Sequence, residues 1–159
     1  MNLEALEPQA RDIIRRYDQR RAAVLPLLWL VQENFGYVSS EAEFWVGRLV
    51  GIAVSHVREV VSFYTMFYRK PVGRWHLEVC TNLSCRLRGA DKIVDCVRKK
   101  LGIEPGQTTP DRKFTLTRVE CLASCGTAPM LQLNHEGFHE NLTVESTAKL
   151  IDELSTRDD

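Results

Sequence analysis

The sequence has no excess of charge of either sign, since 21 Lys and Arg balance 21 Asp and Glu over 159 residues. That balance speaks against a strongly basic nucleic-acid binder and against an acidic disordered tail. Long apolar runs are missing too. A membrane-spanning helix needs roughly 20 apolar residues, and the longest run here, 22–31, is broken by Pro26. No Gly-rich phosphate loop, no Ser/His/Asp order and no Cys-x2-Cys redox motif occurs, so the chain carries no nucleotide-binding or hydrolase signature of its own. Its start, Met-Asn-Leu-Glu-Ala-Leu-Glu-Pro, has neither the positive start and apolar core of a secretory signal nor the Arg-rich character of a transit peptide. A reducing, cytoplasmic setting is therefore expected. There, the five cysteines (80, 85, 96, 121, 125) read as metal ligands or redox groups before disulfides.

Two regions differ in character. Residues 1–72 carry helix signals and no cysteine. A short amphipathic segment is expected over 9–17, with Ile13, Ile14 and Tyr17 on one face, and a longer helix over 21–35 on Val24, Leu27, Leu28 and Val31. Gly36 should end it. Ser40 and Glu43 fit a capping box for a helix that buries Phe44, Val46, Leu49 and Val50. Gly51 stops that helix, and Ser55 is expected to cap another reaching Phe63. Pro71 and Gly73 mark the change of region. In 73–159, strands are expected over 75–79, 114–119, 130–133 and 138–142, with helices over 85–101 and from a Thr143 cap to Leu154. The fold class is α/β, a mixed sheet with helices packed on it behind an N-terminal helical region.

The strongest chemical signal is Cys80-x4-Cys85 with Cys121-x3-Cys125. Each pair begins where an expected strand ends, so four thiols can meet from two neighbouring loops at one end of the sheet. Thiolates suit zinc and iron–sulfur clusters alike. Structural zinc favours tight Cys-x2-Cys knuckles, whereas the wider spacers here suit a larger two-metal cluster. Ala123, Ser124 and Gly126 are small enough to let amide N–H groups approach the sulfurs. Arg86 and Arg88 are candidates for tuning a negatively charged cluster, or simply lie on a solvated helix face. From the residues alone, a structural zinc site, a disulfide pair and buried unligated thiols stay open as alternatives.

Three runs carry a resemblance: Cys-Thr-Asn-Leu-Ser-Cys-Arg-Leu-Arg-Gly-Ala (80–90), Gly-Gln-Thr-Thr-Pro-Asp (106–111) and Glu-Cys-Leu-Ala-Ser-Cys-Gly-Thr-Ala-Pro (120–129). Together they resemble the family of 24 kDa [2Fe–2S] subunits of respiratory NADH:quinone oxidoreductase, complex I. The segment Val60-Val-Ser-Phe-Tyr-Thr-Met-Phe67 is similar to that family's helical region. The resemblance implies a thioredoxin-like ferredoxin fold with one [2Fe–2S] cluster, Cys80 and Cys85 ligating one iron and Cys121 and Cys125 the other. It implies a flavoprotein partner that alone holds FMN and NADH. It also implies a larger complex at the cytoplasmic face of a bacterial inner membrane, the chain meeting the membrane only through that complex. Related two-iron subunits serve NAD-linked hydrogenases and formate dehydrogenases, and this is the close alternative. Two positions depart from the family pattern: Ala123 and Arg112 stand where glycine is usual.

Other features read more plainly. Cys96 is expected to be a small buried hydrophobe. Phe63, Tyr64, Phe67 and Tyr68 read as core ahead of partner surface. Pro129, directly before a strand, is a candidate cis-proline. His135 and His139 are expected to be solvated turn residues, and His56 a surface one. A helix-turn-helix reading of 51–63 lacks basic residues for phosphate contact, and a thiol–disulfide enzyme would want its cysteines on one tight loop.

Overall fold

The computed structural model describes residues 1–157, which form two compact units, Met1–Pro71 and a second one beginning at Val72. The first unit is helical: α1 (Glu7–Ile14), α2 (Val24–Phe35), α3 (Ser40–Val50) and α4 (Val54–Phe63). Its core is the apolar stripe of α2, Val24, Leu27, Leu28 and Val31, packed with Leu6, Ala10, Trp45, Val46, Val57, Val61 and Phe67. Gly36 and Gly51 end α2 and α3 in the left-handed conformation, both at φ +78°, which glycine adopts without a Cβ clash.

Four expectations shift here. The cap of α3 is Ser39, whose side chain accepts from the Ala42 amide at 3.2 Å. The buried face of α3 accordingly uses Trp45 and Val46, while Phe44 is exposed. α4 starts from Ala53, without a side-chain cap. The aromatic group divides: Phe67 is buried against Trp29, with ring centroids 5.5 Å apart, but Phe63 is 78% exposed. Phe63 is the last residue of α4, and its spacing does not bring it onto the Val57–Val61 stripe. Glu43 is buried because Arg58 neutralises it at 2.8 Å.

The second unit is a four-stranded sheet in the order β2-β1-β3-β4, with β1 Trp75–Cys80, β2 Phe114–Val119, β3 Leu131–Leu133 and β4 Gly137–His139. β1 runs parallel to β2 and antiparallel to β3, and β3 is antiparallel to β4. The parallel pair is joined through α5 (Leu83–Leu87) and α6 (Ala90–Leu101), the crossover that parallel strands require. α7 (Val144–Thr156) closes the unit from a capping box between Thr143 and Ser146. Leu77 and Val79 of β1 meet Leu116, Ile93, Val94, Val97, Leu131, Ile151 and Leu154 in one core.

The single helix expected over 85–101 is two. Gly89, at φ +97°, breaks it into α5 and α6. Gly73 is fixed by close approach, since a Cβ there would lie 2.6 Å from the backbone of Phe114. The Ala128–Pro129 peptide is cis.

Candidate metal centre

Register places the cysteines. β1 and β2 are parallel with Cys80 opposite Val119, so both strands end at the same edge and the loops after them leave side by side. Cys80 is the last residue of β1 and Cys85 lies in the short α5. Cys121 follows β2, and Cys125 opens a 3-10 turn, Cys125–Thr127. The thiols of Cys121 and Cys125 are 3.4 Å apart. Two thiolates at about 2.3 Å on one tetrahedral metal stand roughly 3.8 Å apart, so this pair needs little adjustment to share one.

Two contacts staple the loops together. The Asn82 amide donates to the Glu120 carboxylate at 2.7 Å, and the Ser84 hydroxyl bonds to Cys125, favouring its thiolate. The proximity of Cys121 works against that thiolate more strongly and leaves the Cys125 thiol raised overall. Burial, then the neighbouring Cys80, pushes Cys85 up to about 11, while the Met130 amide facing its sulfur pulls the other way. Cys80 acts electrostatically on both Cys85 and Cys125. The Cys85 and Cys125 thiols are thus held protonated by one another's neighbourhood, and a bound metal would supply the positive charge that favours their thiolates.

The amide donors expected near the sulfurs include Ala123, whose N–H points to Cys121 Sγ at 3.4 Å. Ala123 sits at φ +64° and Arg112 at φ +58°. The two positions where glycine is usual therefore both adopt the left-handed backbone that glycine takes freely. Arg86 is exposed and paired with Asp91 at 3.3 Å.

Among the described residues, no three His, Cys, Asp or Glu side chains gather tightly enough to hold a single ion. The thiols stand as two pairs, and a [2Fe–2S] cluster takes two protein ligands on each iron. The donor set fits such a cluster: four sulfurs, two pairs, amide and hydroxyl donors beside them, and no competing carboxylate inside the set.

A thioredoxin-like [2Fe-2S] ferredoxin family model matches residues 10–155. The chain belongs to that family. One [2Fe–2S] cluster is the cofactor that membership assigns to this ferredoxin. Its similar relatives include the E-type subunit of the NADH-quinone oxidoreductase of Rickettsia felis, 44% identical over 149 residues, covering 92% of this chain and 89% of that one. Another is NADH-quinone oxidoreductase subunit 2 of Thermus thermophilus, 45% identical over 124 residues, 78% of this chain and 68% of that one. In solved structures the fold is shared with an NAD+-reducing [NiFe]-hydrogenase at TM-score 0.69 and 18% identity, over 84% of this chain and 22% of that one. That likeness is one of fold, and the ferredoxin's mixed sheet is the thioredoxin-like one the motifs implied.

The remaining cysteine and the histidines hold some corrections. Cys96 is half-buried and donates weakly to the Val144 carbonyl at 3.5 Å. His135 is not a solvated turn residue: its Nδ1 lies 2.8 Å from Glu78 Oε2, and Glu78 is buried. His76 and Glu78 share a strand face with Cys80, and His76 Nε2 meets Thr117 Oγ1 at 2.7 Å. Burial pushes the His76 imidazole down to about 4. Asn82, Ser84 and Glu120, which join the loops, escaped notice in the sequence. Their signal was faint: short polar residues in or beside the cysteine spacers.

Proposed function

We propose that Cys80, Cys85, Cys121 and Cys125 ligate the [2Fe–2S] cluster, and that this ferredoxin is the electron-transfer subunit of an NADH:quinone oxidoreductase. The observation that carries the reading is the meeting of the two cysteine loops at one sheet edge in a chain that matches its Rickettsia felis relative over 92% of its length. When bound, the cluster supplies one-electron chemistry by cycling between two iron oxidation states. The chain's own residues supply the rest. Cys80 and Cys85 anchor one side from a buried position, Cys121 and Cys125 present the other side toward solvent, the Ala123 amide donates to the Cys121 sulfur, and the Met130 amide and the Ser84 hydroxyl favour the thiolates of Cys85 and Cys125. Such donors raise a cluster's potential by stabilising its more negative reduced state.

The partner in this reading is an NADH-oxidising flavoprotein that holds FMN, because the chain carries no phosphate-binding loop for either nucleotide. No helix among the described residues is long and apolar enough to cross a membrane, so contact with the cytoplasmic face of the membrane would run through the complex. The cluster belongs to the domain 73–159, with 1–72 as its helical region.

The test is iron, acid-labile sulfide and zinc content on anaerobically purified protein, with EPR after dithionite and identification of copurifying subunits. Two irons and two sulfides per chain, one unpaired electron on reduction, and a copurifying FMN protein are expected. One zinc without sulfide would overturn the reading.

A further inference from the structure

The second cysteine loop has little regular structure to hold it, since the only described element in 120–128 is the single 3-10 turn Cys125–Thr127. What holds it is a carboxylate from elsewhere in the chain. Oε1 of Glu140, just past β4, accepts from the hydroxyl of Thr127 at 2.6 Å and from that of Ser124 in a short contact. The two hydroxyls are themselves 2.6 Å apart. Ser124 directly precedes Cys125, and Thr127 ends its turn. Backbone bonds close the same junction: the Thr127 amide donates to Ser124 O at 3.2 Å, and the Asn141 amide to Thr127 O at 2.7 Å.

This arrangement does two separable things. One carboxylate oxygen taking two hydroxyl donors fixes the turn that aims Cys125. The same bonds favour the ionised acid, so Glu140 is a carboxylate at neutral pH. Among the described residues no cation pairs with it, so its charge is not neutralised by the protein. A fixed negative charge beside a cluster disfavours the added electron.

We propose that Glu140, acting through Ser124 and Thr127, is a positioning residue for the Cys121–Cys125 ligand loop and that its charge holds the cluster's reduction potential down. The inference rests on the assignment of the cysteines as ligands, and the experiment separates the two.

Full-length wild type, Glu140→Gln and the double variant Ser124→Ala, Thr127→Val are loaded with cluster and titrated with dithionite under EPR. Iron release to a chelator is followed in parallel. Glu140→Gln keeps an acceptor oxygen and loses the charge. It is expected to hold its cluster with unchanged g-values and to show a more positive midpoint potential. The double variant keeps the charge but unties it, letting the carboxylate swing away from the loop. It is expected to lose iron faster and to shift in the same positive direction. An unchanged or more negative potential in cluster-loaded Glu140→Gln overturns the proposal, whatever happens to stability. If Glu140→Gln cannot be loaded, an unchanged potential in the double variant overturns it equally. A wild type that binds no iron and sulfide overturns the ligand assignment itself, and this inference with it.

Discussion

Cys80 and Cys85 are each 2% exposed, whereas Cys121 and Cys125 stand open to solvent. The first loop inherits its geometry from regular structure: a strand that pairs on both sides, then a helix whose Asn82 cap accepts from the Leu83 amide at 2.8 Å. The second loop has one 3-10 turn, a left-handed alanine and a clasp of hydroxyls on Glu140. Both deliver two thiols to one place. Buried positions gain precision from packing and give up the ability to relax; exposed loops do the reverse.

The largest expected effect tests that contrast directly. A serine ligand needs a shorter bond to iron than cysteine, so its loop must move. Cys80→Ser and Cys85→Ser are expected to lose the cluster. Cys121→Ser and Cys125→Ser are expected to retain a substantial share of it, with altered EPR g-values, as read by iron and sulfide content. Equal losses at all four positions would erase the distinction between the loops.

Next comes thiol reactivity in cluster-free protein. With Cys85 pushed up to about 11, its thiolate fraction at neutral pH falls about a hundredfold below that of an ordinary cysteine. Cys121 should therefore be alkylated long before Cys85, as followed by peptide mass spectrometry over time. Loading with the cluster should protect all four and leave Cys96.

Acid should reach the buried side of the sheet through His76. Its pKa falls from 6.5 to about 4 on folding because burial disfavours the imidazolium. The unfolded chain takes up the proton first, so the stability is fully present above pH 6.5, declines as pH falls from 6.5 to 4, and is flat below. The size is about 3 kcal/mol. Urea unfolding of His76→Gln should show a shallower loss over that window than the wild type.

The smallest effect belongs to the exposed loop. Ala123→Gly removes a left-handed Cβ penalty and adds some unfolded-state freedom, for a net gain of up to about 1 kcal/mol in urea unfolding. Loss of stability would mean the Ala123 methyl makes contacts worth more than the strain.

Much was determined by the sequence alone. Period and punctuation suffice for the α2 stripe, for the helix stops at Gly36 and Gly51, and for the 114–119 strand, since burial and positive φ are local demands written into residue type. The four candidate cysteines were legible because thiols in two spaced pairs are rare outside metal and redox chemistry. Tertiary structure decided what local pattern cannot carry. The parallel register of Cys80 on Val119 brings the two loops together. Gly89 divides one apparent helix into two, because a single left-handed residue outweighs the continuing apolar period on either side. His135 reads as a turn residue until the fold lays it beside Glu78, 57 positions earlier (135 − 78). Glu140 is an ordinary exposed acid until β4 ends next to the second cysteine loop. Apart from the break at Gly89, each of these depends on segments distant in the chain meeting in space, and the free energy of such meetings resides in the contacts rather than in any one residue's preference.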